Sequence, residues 1–127
     1  MKDLDLLAAN ASQDIITQTE RQGASDVENL ITKALGVLQE NGVYAALLYL
    51  YSRSNATEKP VAEPTRVRLL SLLTELSLPA LDRNDARSAL KFLTDNVCND
   101  LDRLLLVKQL WEQTLIYTRY GAKAREG

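Results

Sequence analysis

The side chains best suited to acid–base and metal chemistry are scarce in this chain. It contains no histidine and a single cysteine, Cys98. Without histidine, a Ser-His-Asp triad, a histidine metal ligand and an imidazole acid–base pair are all excluded. One cysteine cannot build a structural zinc site or an internal disulfide. Cys98 follows Val97 on an apolar helix face, where a buried and unreactive thiol is the expected state.

Two pairs of closely spaced aspartates are the other candidates for chemistry, Asp82 with Asp85 and Asp100 with Asp102. Each pair coincides with a predicted helix start, where a carboxylate caps free N–H groups and complements the helix dipole. Carboxylates that hold a metal inside a bundle would lie on inward stripes, and the inward stripes predicted here are apolar. No phosphate-binding loop motif occurs. We therefore predict no catalytic residue, no metal site and no cofactor, and we interpret the protein as a non-enzyme.

Seven basic residues in two groups are the candidates for binding RNA. The first group flanks a predicted loop and opens the next helix, and it consists of Arg53, Lys59, Arg66 and Arg68. The second group lies beside Tyr117 and Tyr120, and it consists of Arg119, Lys123 and Arg125. Basic side chains near exposed aromatic rings can hold a nucleic-acid backbone and stack on bases. The alternative is that the cations serve the helix dipole and the tyrosines are half-buried core residues.

The charge is distributed unevenly along the chain, although the net charge is only −2. Residues 1–40 carry three basic and seven acidic side chains, which gives −4, and residues 103–125 carry five basic and one acidic, which gives +4. Such an asymmetry can orient a protein against an anionic partner or against copies of itself. Ordinary solvated helix faces are the alternative interpretation.

The elements that would position these residues are all helices. The chain has 127 residues, only 5 glycines and 3 prolines, and no stretch of strand-like alternation. Apolar residues recur at helical spacing in six segments, approximately 3–22, 25–40, 43–52, 64–77, 85–97 and 100–120. Because the connections are short, neighbouring helices must pack together. The sequence predicts an all-α fold, a compact bundle of five to six helices in a single domain over 1–127.

Several residues predict the boundaries of these helices. Ser25 and Glu28 match a capping box, and Gly23 before them is a plausible end for the first helix. Asn41 and Gly42 break the second helix, since both tolerate a positive φ.

Two further boundaries follow from proline and glycine. Pro64 suits the first turn of the fourth helix, which leaves a flexible loop over 53–63 that contains Pro60. Gly121 is a natural terminator of the last helix, which leaves a frayed tail over 121–127.

The third helix and the tryptophan predict where the core lies. The segment 43–51 is almost continuously apolar, but it is too short to cross a bilayer, so we expect a central helix wrapped on most sides by the others. Trp111 is expected to anchor the last helix in the core, with a partner-facing hot spot as the alternative. The single cysteine and the absence of a long apolar run favour a cytoplasmic protein.

The pattern as a whole resembles the Cmr small-subunit family, the small α-helical subunit of type III-B CRISPR effector complexes. The likeness rests on the Asn41-Gly42 break before the apolar helix Val43–Tyr51, on the variable loop, and on a long last helix with Trp111 and C-terminal basic residues. It is best over 36–52 and 103–123.

This resemblance implies a non-catalytic role. Copies would stack head to tail beside the backbone subunits, run along the guide RNA–target RNA duplex and help hold the target in antiviral defence. The implied partners are the other effector subunits, neighbouring copies through weak self-association, and the RNA duplex, with no membrane. A helical protein–protein adaptor or regulatory bundle without RNA binding is the alternative that the acidic net charge leaves open.

Overall fold

The computed structural model describes residues 3–76, 78 and 85–126. In this part of the chain it contains six helices and no strand, which confirms the predicted all-α bundle. They are α1 (Leu4–Gln18), α2 (Ala24–Asn41), α3 (Val43–Ser52), α4 (Lys59–Glu75), α5 (Ala86–Asn96) and α6 (Leu101–Glu126). Among the described helices, none combines the length and the apolar character needed to cross a membrane.

The core forms where α6 lies in the groove between α1 and α2, with α4 closing the other side. Trp111 of α6 is fully buried, and its indole Nε1–H donates to the carbonyl oxygen of Leu69 in α4 at 3.0 Å. A buried indole needs such an acceptor, because an unpaired donor would lose its hydration without compensation. The prediction of Trp111 as a core anchor is therefore confirmed.

Aspartates begin three of the helices. The Asp3 carboxylate accepts from the amide of Asp5 at the start of α1, that of Asp85 accepts from Ser88 in α5, and that of Asp100 accepts from Arg103 in α6. The capping role predicted for Asp85 and Asp100 is confirmed. Asp82 lies outside the described residues.

The predicted start of α2 is wrong. The helix begins at Ala24 with Gly23 as its N-cap, so Ser25 is already inside the first turn and Glu28 instead lies 3.7 Å from Lys123. Gly23 does not end α1 either. That helix stops at Gln18, and Thr19 closes it by donating its hydroxyl to the carbonyl of Ile15.

The predicted loop over 53–63 and the predicted role of Pro64 are also wrong. The carboxamide oxygen of Asn55 accepts from the amides of Thr57 and Glu58 and forms a turn that starts α4 at Lys59. Pro60 occupies the first turn and Pro64 lies inside the helix. The loop therefore covers residues 53–58. Arg66 and Arg68, expected near the start of the helix, lie in its middle.

The last helix does not end at Gly121, and residues 121–126 are not a frayed tail. It continues to Glu126 because it is held against α1. A Cβ on Gly121 would lie 3.1 Å from the Ile16 side chain, so glycine here allows two helices to approach closely. Gly42, by contrast, has φ +95° and breaks the chain between α2 and α3, as predicted.

The third helix contacts α2, α4, α5 and α6, in agreement with the expected central helix wrapped on most sides, but one narrow side of it remains exposed. Val43, Ala46, Leu47 and Leu50 are buried, but Tyr44 is 40% exposed and Leu48 is 48% exposed. A run of apolar residues does not reveal which of them face neighbours. The outward side of α3 is instead a candidate surface.

Candidate nucleic-acid interface

The candidate surface is the outward side of α3 together with the arginines on its flanks, and we call it the α3 face. Tyr44 and Leu48 are one helical turn apart and form its centre. Tyr49 and Tyr51 lie on opposite flanks of this line, because successive residues turn by about 100° around a helix. Each of the two tyrosines carries an arginine over its ring.

On one flank, the Arg53 guanidinium lies 4.6 Å from the centre of the Tyr49 ring. Arg53 also donates to the Ser52 hydroxyl at 3.1 Å and lies 3.8 Å from the Glu58 carboxylate. Burial raises the pKa of the Tyr49 phenol above its ordinary value, and the positive charge of Arg53 opposes that shift. The phenol is therefore neutral at physiological pH, and its ring presents an electron-rich face to the cation.

On the other flank, the Arg66 guanidinium of α4 lies 4.4 Å from the centre of the Tyr51 ring. Burial raises the pKa of Tyr51, while Arg66 lowers it and Asp85 adds a smaller rise. Within the described residues Arg66 forms no ion pair, so no carboxylate in that part of the chain neutralises its charge directly. It is the best placed of the candidate cations for an external anion.

This geometry suits phosphate binding and base stacking. The planar guanidinium of an arginine can match phosphate oxygens in a bidentate manner. Arg66 has no ion pair among the described residues, whereas the N–H groups of Arg53 are engaged by Ser52 and Glu58. The tyrosine ring beneath each guanidinium fixes the side chain beforehand, so less conformational entropy is lost on binding. Tyr44 offers an exposed ring near the start of the same helix, and bases of single-stranded RNA stack on such rings.

Lys59 and Arg68, the other two candidates of the first group, differ in whether a carboxylate neutralises their charge. Lys59 is the exposed first residue of α4 and forms no described ion pair, so it extends the positive surface beside Arg53. Arg68 is instead held at 2.9 Å from Asp14 of α1 and at 3.4 Å from Glu75 of α4. Two carboxylates neutralise its charge, and it joins two helices.

The C-terminal group is not brought together with the first group. Arg125 donates to the backbone carbonyls of Thr19, Glu20 and Gln22, at 3.2, 3.2 and 2.6 Å, and Lys123 lies 3.7 Å from Glu28. Arg125 fastens α6 to the turn between α1 and α2, and Lys123 joins α6 to α2 itself. Arg119 lies 5.5 Å from the Tyr120 ring centre on the outward side of α6.

Sequence reasoning missed Tyr49 and Tyr51 as parts of the site. The i, i+4 spacing of Tyr49 and Arg53 is a usable signal, since residues four apart meet on a helix surface. Nothing local connects Tyr51 with Arg66, because they come from different helices.

No alternative site for chemistry is visible in residues 3–76, 78 and 85–126. No three Cys, Asp or Glu side chains in this part converge on a possible metal site. Burial raises the pKa of the half-buried Cys98 thiol, which lowers its thiolate fraction and its reactivity at neutral pH. Comparison with family models, curated proteins and solved structures finds no match to this chain.

Proposed function

We propose that this protein is the non-catalytic small subunit of a type III, Cmr-type CRISPR effector complex in the cytoplasm. In this role it stacks along the guide RNA–target RNA duplex and helps to hold the target. The observation that carries the proposal is the α3 face, where Arg53 and Arg66 lie over two tyrosine rings of the helix that also carries the exposed Tyr44. The resemblance to the Cmr small-subunit family over 36–52 and 103–123 adds support. The first segment contains the break at Gly42 and α3, and the second lies in α6.

The contribution of one copy to RNA binding is modest. Arg53, Lys59 and Arg66 are partly offset by Glu58, and the whole chain has a net charge of −2. A few phosphate contacts per copy give weak binding, which becomes substantial when neighbouring copies share one duplex. Such a surface suits a subunit that works inside an assembly.

The direction of the helices supports head-to-tail stacking. Tyr117 donates a hydrogen bond to Asp5 near the start of α1, and Arg125 reaches the residues after its end. Helices α1 and α6 therefore run in the same direction. The acidic start of α1 adjoins the middle of α6, where Asp5 lies beside Gln113 and Tyr117, and the basic end of α6 lies about one α1 length further along. A neighbouring copy whose basic end met this acidic region would extend the assembly head to tail.

The test is co-purification of the tagged chain with effector subunits and guide RNA, followed by target-RNA retention in the assembled complex. We expect the double charge reversal R53E/R66E to reduce retention at least about tenfold, which corresponds to roughly 1.4 kcal/mol, while the chain stays folded. The matched control is R21E, which reverses one exposed arginine in the turn between α1 and α2. Recovery of no effector subunit and no guide RNA would refute the assignment.

A protein–protein adaptor is the second candidate, and the exposed Leu48 favours it because an aliphatic side chain adds nothing to phosphate binding. The two functions differ in their response to salt. RNA binding through phosphates weakens steeply as salt rises, since counterions are released. The affinity of a protein complex centred on Tyr44 and Leu48 would change little with salt. Loss of binding in L48E, with binding by R53E/R66E unchanged, would favour the adaptor.

A further inference from the structure

The outward side of α6 forms a second, separate surface. Leu101, Leu105, Gln109, Ile116 and Tyr120 recur at spacings of four or seven residues, so they follow one line along the helix. The line is about 28 Å long at 1.5 Å per residue. Leu101 is 69% exposed, Leu105 54% and Tyr120 60%. We call this line the α6 stripe.

The fold leaves Leu101, Leu105 and Tyr120 of the α6 stripe exposed, while Ile116 is partly buried and also packs against the core. The side of α6 that meets α1 and α2 is the opposite one, where Val107, Trp111 and Thr118 are buried. Isolated exposed leucines are normal on protein surfaces, but several apolar residues on one side of a long helix, here separated at its middle by Gln109 and Glu112, indicate an interaction surface.

Four charged side chains accompany the α6 stripe in an informative order. From the beginning of the helix they are Asp102, Lys108, Glu112 and Arg119, with alternating signs. Within the described part of the chain none of the four forms an ion pair, and the Arg119 guanidinium lies over the Tyr120 ring. Along the helix the four signs are negative, positive, negative and positive. In a second helix that runs in the opposite direction, each charge therefore faces one of opposite sign.

We propose that the α6 stripe binds the α6 stripe of a second copy of this chain in an antiparallel, two-fold symmetric dimer. With the axis near residues 110 and 111, Leu101 lies opposite Tyr120 and Leu105 opposite Ile116 of the other copy. The same register sets Asp102 opposite Arg119, and Lys108 close to Glu112. Every apolar residue then meets an apolar one and every charge meets its opposite, as a self-complementary interface requires.

The parallel arrangement of two α6 stripes is excluded by charge. It would place each of Asp102, Lys108, Glu112 and Arg119 next to its own copy, and like charges in such contact repel. The antiparallel dimer is closed, because its interface pairs the same surface on both copies, whereas a head-to-tail stack pairs two different surfaces. It does not depend on the proposed function.

The strength of the dimer follows from its size. A single pair of helices over about 28 Å buries less than the roughly 800 Å² per partner of a standard stable interface. We therefore expect a dissociation constant of about 10–100 µM. The free chain would be monomeric in dilute solution and dimeric near millimolar concentration.

The first experiment is sedimentation equilibrium of the full chain over this concentration range. L105E places a charge in the apolar part of the α6 stripe and should raise the dissociation constant at least about tenfold. The matched control is L6E, at a leucine of α1 that is 58% exposed, and it should leave the constant unchanged. A chain that stays monomeric at about 1 mM, or equal effects of the two variants, would overturn the proposal.

A charge swap tests the register. K108E alone sets two carboxylates beside each other across the interface and should weaken the dimer, and E112K alone should do the same with two ammonium groups. The double variant K108E/E112K restores opposite charges and should recover the affinity. Failure of the double variant to recover, with circular dichroism unchanged, would contradict this register.

A cross-linking experiment tests the direction. In a C98S background, L101C and Y120C chains are prepared separately and mixed with a short bismaleimide. The antiparallel dimer predicts cross-links in the mixture and few in either chain alone. Strong cross-linking of L101C with itself would show a parallel contact and refute the model.

Discussion

Arg125 shows how a side chain that looks suited to RNA can be committed to the fold. Its guanidinium donates to three backbone carbonyls in the turn after α1. These carbonyls lie just beyond the C-terminus of α1, where a positive charge complements the helix dipole. Arg125 thereby fastens the end of α6 to the end of α1.

Substitution of Arg125 by alanine should therefore lower stability more than a surface change does. We expect R125A to reduce the free energy of unfolding by about 1–3 kcal/mol, because charge-assisted bonds to partly buried carbonyls are lost. K123A, which removes one exposed ion pair to Glu28, is the control and should cost about 0.5 kcal/mol or less. Urea denaturation followed by circular dichroism measures both, and equal losses would argue against a structural role for Arg125.

Arg68 is another arginine that is a candidate for RNA contact but forms ion pairs within the fold. The sequence predicts that it touches RNA together with Arg66, but its guanidinium lies between Asp14 and Glu75. Reversal of its charge would bring three carboxylates together and disturb the contact between α1 and α4. Arg66 and Arg53 are therefore the cleaner probes of RNA contact.

Helix α3 illustrates how one element serves both the core and a surface. Leu47 is fully buried and Leu48, the next residue, is 48% exposed. The two neighbours have the same side chain and the same backbone conformation. They form a matched pair that separates core packing from surface exposure within a single helix.

Truncation of these two leucines should have very different costs. L47A removes a buried side chain and leaves a cavity, so we expect a loss of about 2–5 kcal/mol. L48A should cost about 0.5 kcal/mol or less, as is usual for surface sites. Thermal and urea unfolding of both variants measures the difference, and similar losses would mean that α3 is oriented differently.

At the level of the whole molecule, α6 connects the other helices. It packs against α1 and α2, reaches α4 through the Trp111 indole, and is fastened at its end by Arg125. Because these contacts depend on each other, we expect the bundle to unfold as one cooperative unit, as small domains do.

Trp111 is the single tryptophan of the chain and provides the test. Its fluorescence reports the centre of the core, while far-ultraviolet circular dichroism reports all six helices. The two urea transitions should coincide in midpoint and slope. A fluorescence transition that precedes the loss of helix would reveal that α6 detaches separately from the rest.

The sequence alone determined the fold class, the six helical segments and most of the buried residues. Apolar spacing is a local property, so it is sufficient to assign Val27, Leu30, Ile31 and Ala34 to the inner side of α2. The break at Gly42 is equally local, since only its own backbone angles are involved. The absence of histidine likewise excludes whole classes of chemistry without reference to folding.

The tertiary structure decided where the helices begin and end and which group each basic side chain contacts. Gly121 and Pro64 would end or begin an isolated helix, but packing against α1 and the Asn55 turn override those tendencies. Whether an arginine meets a carboxylate, a carbonyl or a tyrosine ring depends on residues that are distant in the chain, as with Arg66 over Tyr51. Local patterns carry no information about such partners, because these contacts exist only once the helices have packed.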